Sequence, residues 1–220
     1  MPGHDEEVGG TGAQAAAALI KSRGMTAEWA LDEGLAVIAN FPMVNGPVAL
    51  VGVGEKGYAT LRVTAPAVGG HSSAPPKETG VEVLAKAVLA ITGKPWPMRF
   101  EGPGAETVKA IAPHADYVAR MAAANEWLFG PLLVRQIGAT PAGASTLHTT
   151  IAPTMLKGSP KENVLPQDAT AWINYRIMPG QTRDDVMARA REAVKGLDVK
   201  LAWQGQANNP SPVSSTSSRA

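Results

Sequence analysis

The sequence predicts an α+β fold of βαββαβ order, ferredoxin-like, with a helical insertion after its first helix, preceded by a short α/β segment of a different character. Three observations predict it. From Tyr58 onward, runs with apolar residues at every second position and runs with a helical spacing follow in the order strand, helix, strand, strand, helix, strand. Residues 95–148, between the first helix and the second strand, carry helical patterns of their own. Before Gly57 the apolar runs are continuous instead of alternating, as in strands buried on both faces of a parallel or mixed sheet.

Each element has its own reason. Residues 8–24 join a glycine-rich lead-in, an alanine run, a basic last turn and Gly24, which predicts a helix of about three turns. Leu35–Ala39 and Pro47–Val53 are short apolar runs and read as buried strands. Tyr58–Ala65 alternates with Thr60, Arg62 and Thr64 and predicts a strand with one wet face. A loop follows over Val68–Pro76. Val81, Leu84, Val88 and Ile91 then mark a helix over Thr79–Ile91. Residues 105–139 read as two or three helical pieces broken at Pro113 and at Gly130–Pro131. Thr149–Gly158 is a strand in which Pro153 signals an edge or a bulge. Ala169–Met178 is a strand with Ala171, Ile173, Tyr175 and Ile177 on one face. Thr182 and Asp185 make a capping-box start for a helix with Val186, Ala190 and Val194 inward. Val199, Leu201 and Trp203 mark the last strand, and the polar, Pro/Ser-rich tail from Asn208 reads as loose.

Composition narrows the function. With 20 basic and 19 acidic side chains in 220 residues, the chain has no cationic surplus for a nucleic-acid partner. It has no cysteine, so thiol catalysis, disulfides and thiolate metal sites are excluded. No apolar stretch approaches the ~20 residues of a membrane span. The first residues, Met1-Pro2-Gly3-His4-Asp5-Glu6-Glu7, have no basic or apolar region of a signal peptide, which favours a cytoplasmic location for the chain as given.

Few residues stand out as carriers of chemistry. Asp5, Glu6 and Glu7 form an acidic run before a glycine-rich turn. Such a run is ordinarily a solvated surface, or else a metal ligand beside a general base. Asp32 alone is an ordinary turn acid. His71 lies in a Gly-Gly-His-Ser-Ser loop, where glycine permits close backbone approach; it is either a functional group or a solvated loop residue. Asn163 is a turn former or a binding residue. Arg176 is a surface cation or, facing a cleft, a carboxylate clamp. His4, His114 and His148 lack such a context, and phosphate-loop, G-x-S-x-G and H-E-x-x-H patterns are missing.

Taken together, the segments Gly3–Gly10, Leu31-Asp32-Glu33-Gly34, Glu55-Lys56-Gly57-Tyr58, Gly69–Pro76, Lys161–Pro166 and Asn174–Gly180 occur in an order that resembles one family. It is the co-catalytic zinc metallopeptidase family of aminoacylases, glutamate carboxypeptidases and succinyl-diaminopimelate desuccinylases, in its Gly-X carboxypeptidase-like branch. The resemblance implies a ferredoxin-like dimerisation (lid) domain over 55–205, with a helical insertion at about 95–148. It also implies a partial zinc-hydrolase catalytic domain over 1–54 and a return to that domain over 206–220. It implies Glu6 as general base, Glu7 and Asp32 as ligands of two different Zn²⁺ ions, and His71 as the group that polarises the scissile carbonyl in the partner subunit's site. Asn163 and Arg176 match substrate-binding positions, with Arg176 on the free carboxylate. The implied reaction is hydrolysis of an amide next to a free carboxylate, in a dipeptide or an N-acyl amino acid, by a homodimer.

The sequence departs from the pattern at its ends. The upstream His-x-Asp motif and the final His ligand do not occur, so the chain reads as an internal fragment, inactive alone and not binding zinc tightly. A non-catalytic ferredoxin-like homodimerisation module is the alternative reading. The helix beginning near Pro76 and the strand beginning near Tyr58 are the expected dimer surface.

Overall fold

Alternation in two ten-residue segments, 57–66 and 168–177, interrupted only by the buried Thr170, sets the architecture, because it puts every second side chain on one face of a sheet. The computed structural model describes residues 11–31, 34–41 and 44–216. They fall into two compact units, one reaching Leu35 and one spanning Ala36–Thr216.

In the first unit, helix α1 (Thr11–Ser22) ends as expected at Gly24, whose φ of +66° is the left-handed geometry glycine accepts most readily. None of its residues is buried.

The second unit opens with β1 (Val37–Ile38) and β2 (Val48–Ala49), an antiparallel pair. This corrects the expectation of buried strands in a parallel or mixed sheet. Each strand is two residues long and pairs only with the other, and Val37 and Val51 stay 69% and 74% exposed. Then come β3 (Gly57–Pro66), β4 (Gly70–His71) and α2 (Gly80–Thr92). The insertion contains α3 (Gly102–Ile111), α4 (Tyr117–Ala124), α5 (Glu126–Ile137) and α6 (Pro141–Ser145). β5 (Thr150–Lys157), β6 (Val164–Leu165), β7 (Asp168–Ile177), α7 (Arg183–Ala193) and β8 (Lys200–Trp203) complete the order.

The main sheet runs β5-β7-β3-β8, antiparallel throughout, which is the ferredoxin-like arrangement the sequence predicts. β3 and β7 pair over their whole length, from Gly57↔Ile177 to Pro66↔Asp168. Ala59, Leu61, Val63 and Ala65 therefore share a face with Ala171, Ile173, Tyr175 and Ile177, and all are buried. Leu84, Ala87 and Ile91 of α2 and Val186 and Ala190 of α7 close over that face. Burial of each large aliphatic side chain there contributes ~1.5–3 kcal/mol. Both helices begin in capping boxes, Thr79 with Glu82 and Thr182 with Asp185. Trp96 stands edge-on to Tyr175, and the Arg189 guanidinium lies 4.7 Å from the Trp96 ring while donating to the Lys94 and Pro95 carbonyls. That contact ties the start of the insertion to α7.

Three further expectations change. Pro131 lies inside α5 and does not break it; the break comes at Asn125, where φ −120° and ψ 51° leave the helical region. The carbonyl that Pro131 cannot serve is that of Trp127, an 80% exposed residue open to water. The strand at Tyr58 is internal, between β7 and β8, so it cannot be a pairing edge; β5 is an edge, with its bulge between Pro153 and Met155. The tail is not loose over 208–214. Its amides of Asn208, Ser211 and Ser214 donate to the carbonyls of Tyr58, Glu55 and Val53 at 2.8, 3.0 and 2.6 Å. Gly57 permits this approach, since a Cβ there would stand 2.5 Å from the Asn208 carbonyl oxygen.

Candidate functional site

The site begins where β3 runs out. The Ala67 amide donates to the Gln167 carbonyl at 2.8 Å, and the chain turns through Val68 and Gly69 into β4. Gly69 is packed against the Leu165 carbonyl, 3.2 Å from where a Cβ would sit, so the loop lies flat on β6. β4 and β6 then pair antiparallel, Gly70↔Leu165 and His71↔Val164. One residue further, the Ser72 amide donates to the Asn163 carbonyl at 3.1 Å. Two loops nearly a hundred residues apart in sequence thus bring His71 and Asn163 side by side.

The hydrogen bonds of His71 fix its tautomer. Nδ1 lies 3.2 Å from the Ser73 amide, which can only donate, so Nδ1 is the acceptor. The Ser73 hydroxyl, 2.8 Å away, donates to the same nitrogen. In the neutral ring the proton is therefore on Nε2, and the exposed side chain presents Nε2–H as a donor. On the neighbouring loop, the Asn163 side-chain oxygen is buried without a hydrogen-bond partner among the described residues. Such a group costs stability unless something donates to it. A donor on an exposed histidine and an unsatisfied amide acceptor on the loop paired with it suit a polar substrate with both a carbonyl and an N–H.

Arg176 is elsewhere. It pairs with Tyr58 and Thr150 at one end of the wet face, and its guanidinium lies 5.0 Å from the Tyr58 ring centroid. Asp168 and Pro66, from which the chain leads to β4, are eight positions along the same ladder, about 26 Å at ~3.3 Å per residue. His71 and Asn163 come together, and Arg176 does not join them within this chain.

Glu6, Glu7 and Asp32 lie outside the described residues. Among the described residues no group of three or more His, Asp or Glu side chains is arranged to hold a metal ion. The described residues therefore do not fit a zinc centre.

The sequence reading gave Lys56 no role, although its Glu-Lys-Gly-Tyr segment was among those that carry the resemblance. Its half-buried ammonium donates to the carbonyls of Ser145 at 2.8 Å and His148 at 3.0 Å. Burial, and secondarily the positive charge of Arg176, pull its pKa down to about 8. The signal was a period-2 count: Lys56 precedes Tyr58 by two and shares its wet face.

Comparison with known proteins shows the family. The family described as the M20 peptidase dimerisation domain matches residues 53–201. The chain belongs to that family. The resemblance read from the sequence motifs is thus borne out, as is the fold class. Among curated relatives, the chain is 37% identical to human N-fatty-acyl-amino acid synthase/hydrolase PM20D1 over 99% of its own length and 44% of that protein. It is 32% identical to the probable carboxypeptidase S-like 2 of Dictyostelium discoideum, over 99% of itself and 43% of the relative. The chain thus spans less than half the length of these relatives. Solved structures similar to it include human carnosine dipeptidase 1, at TM-score 0.49 and 13% identity, covering 96% of this chain and 47% of that one. An M20 family metallo-carboxypeptidase from Sulfolobus solfataricus matches at TM-score 0.47 and 16% identity, covering 72% and 44%.

Proposed function

We propose that this M20 domain serves a zinc-dependent hydrolase that cleaves an amide next to a free carboxylate, in dipeptides or N-acyl amino acids. The observation that carries this reading is the pairing of β4 with β6, which sets the His71 loop beside the Asn163 loop. As an amide carbonyl is attacked, charge gathers on its oxygen, and a fixed Nε2–H is a suitable donor to it. The Asn163 oxygen is suited to accept from an N–H of the same substrate. The names of the relatives, a fatty-acyl-amino acid hydrolase and carboxypeptidases, fit the same class of substrate. Zinc dependence, with Glu7 and Asp32 as ligands and Glu6 as base, rests on the sequence resemblance, as do the carboxylate role of Arg176 and the division into 1–54, 55–205 and 206–220.

The same reading makes the domain a homodimer in which His71 serves the partner's site. The edge strand β5 and the adjoining α2 expose Leu156 (71%), Met155 (54%), Val81 (47%) and Leu89 (71%). A Cβ built on Gly158, just past β5, would stand 3.5 Å from the Val81 side chain, so strand edge and helix face form one surface. Edge-to-edge pairing of two copies would satisfy the unpaired backbone groups of β5.

The test is an assay of the polypeptide carrying this sequence, supplied with zinc. Substrates are N-acyl amino acids, dipeptides and their C-terminal amides. Hydrolysis confined to substrates with the free carboxylate is expected, and His71→Ala should lower kcat by ~10²–10³ with a smaller change in KM. A protein that dimerises but hydrolyses none of them would be a non-catalytic dimerisation module.

A further inference from the structure

The Glu55-Lys56-Gly57-Tyr58 segment contributes two residues to the wet face at the root of the sheet, and only one of its neighbours, Arg176, has a role in the proposed reaction. An open depression of about 300 Å³ lies there, lined by Gly54, Glu55, Lys56, Ser145, Thr150 and Arg176. Two cations share it. Among the described residues neither Lys56 nor Arg176 makes an ion pair with an acid, although five other ion pairs occur. Glu55 also lines the depression, but its carboxylate lies beyond ion-pair distance of both. Arg176 is held over the Tyr58 ring, and Lys56 is held by the Ser145 and His148 carbonyls. The two carbonyls use two of the three ammonium protons and leave one.

Such an arrangement is costly by itself. Partial burial disfavours the Lys56 charge, and a second positive charge beside it disfavours it further. Neither cost is offset by a fixed acid among the described residues. An anion between the two side chains would offset both, by giving the guanidinium a planar partner and the third ammonium proton an acceptor.

We propose that Lys56 and Arg176 form one two-cation site for a carboxylate, in which Lys56 both binds the anion and clamps the end of the helical insertion over it. The proposal rests on the reading of Arg176 as a carboxylate partner and adds a specificity-determining residue to it. Its consequence is geometric. Ser145 and His148 close the insertion, so the insertion's position and the anion's position are set by one ammonium group. The ligand is a monocarboxylate of the N-acyl amino acid class. Glu55 at the rim disfavours a second negative charge.

The charged groups that face Lys56 are Arg176 from β7 and Glu55 beside it in the chain; His148, after α6, meets it through a backbone carbonyl. Loss of the ammonium proton should release the anion.

Binding is read without turnover, so a chain that hydrolyses nothing still decides the site. The 220-residue chain is titrated with N-acetyl-leucine and with N-acetyl-leucinamide, following the side-chain N–H signals by NMR. The carboxylate, and not the amide, is expected to shift the Arg176 and Lys56 signals. Arg176→Ala should abolish the shift and Lys56→Met should weaken binding about tenfold, the worth of one charge-assisted hydrogen bond. The wild type should lose a similar factor between about pH 7 and about pH 9.5, while Lys56→Arg, which stays charged, loses none. The pH series needs no variant that risks unfolding. Equal shifts with the amide, or none with the carboxylate, would overturn the site. If Arg176→Ala leaves binding intact, the carboxylate reading of Arg176 falls and the site with it. If Arg176→Ala abolishes binding while Lys56→Met and pH change nothing, only the role of Lys56 falls.

Discussion

At the level of single residues, two glycines make different predictions from the same substitution. A Cβ on Gly57 would stand 2.5 Å from the Asn208 oxygen and 2.8 Å from the Pro210 nitrogen, both backbone atoms that cannot swing aside. Gly57→Ala should therefore destabilise the fold by ~1–3 kcal/mol. Gly130 is inside α5 with no non-neighbouring atom within 4 Å of its Cβ position, so Gly130→Ala meets no tertiary clash and should change stability by less than ~1 kcal/mol, the helix gain being opposed by the crowding of a Cβ against Pro131. Urea unfolding of both variants against the parent checks the pair. Lys56 adds a pH signature. Its folded pKa, about 8, lies below the ordinary 10.5, so between those values the unfolded chain binds more protons than the folded one. Stability should therefore rise as pH climbs through that window, and Lys56→Met should flatten the rise. The site was partly legible at this scale. His71 stood out by its flanking glycines, and Asn163 by its place before Val164-Leu165-Pro166. The orphaned Asn163 oxygen and the Lys56 clamp were not legible, because both depend on which carbonyls the folded loops bring near.

The elements themselves were legible wherever local chemistry and burial agree. Residues 57–66 and 168–177 alternate so regularly that only one face can be inside, and Thr182 with Asp185 marks the start of α7 in the side chains alone. Failures occurred where a local preference was outvoted. Pro131 sits in a helix because the carbonyl it leaves unserved faces water. The runs at Leu35 and Pro47 promised burial, but burial requires a covering partner, and no run of residues announces its partner. Edge position was half legible: Pro153 marked the strand at Thr150 as an edge or a bulge, but nothing in the run at Tyr58 announced that it lies inside the sheet. The sheet order yields a prediction for β5. Leu156→Lys puts a charge on the exposed apolar edge beside α2 while leaving the buried face untouched. It should shift the sedimentation of the chain from dimer to monomer without lowering its unfolding midpoint. A dimer that survives the change would place the interface elsewhere.

Across the whole chain, burial is uneven. α1 buries nothing, and Trp29, Leu31, Leu35, Val37 and Val51 are all more than half exposed. The sheet and its two helices hold the large apolar core. Brief thermolysin digestion should therefore cut among residues 29–51 and leave a resistant fragment beginning near Gly54, as mass spectrometry would show. Cleavage first within the insertion would contradict this. The fragment's two ends are already side by side, since residues 53–58 and 208–214 run along one another. A domain whose chain arrives and leaves at one point behaves like a plug-in cassette. It can be spliced into the loop of an unrelated host without stretching that host, and its two ends can be joined by a short turn so that new termini open elsewhere on its surface.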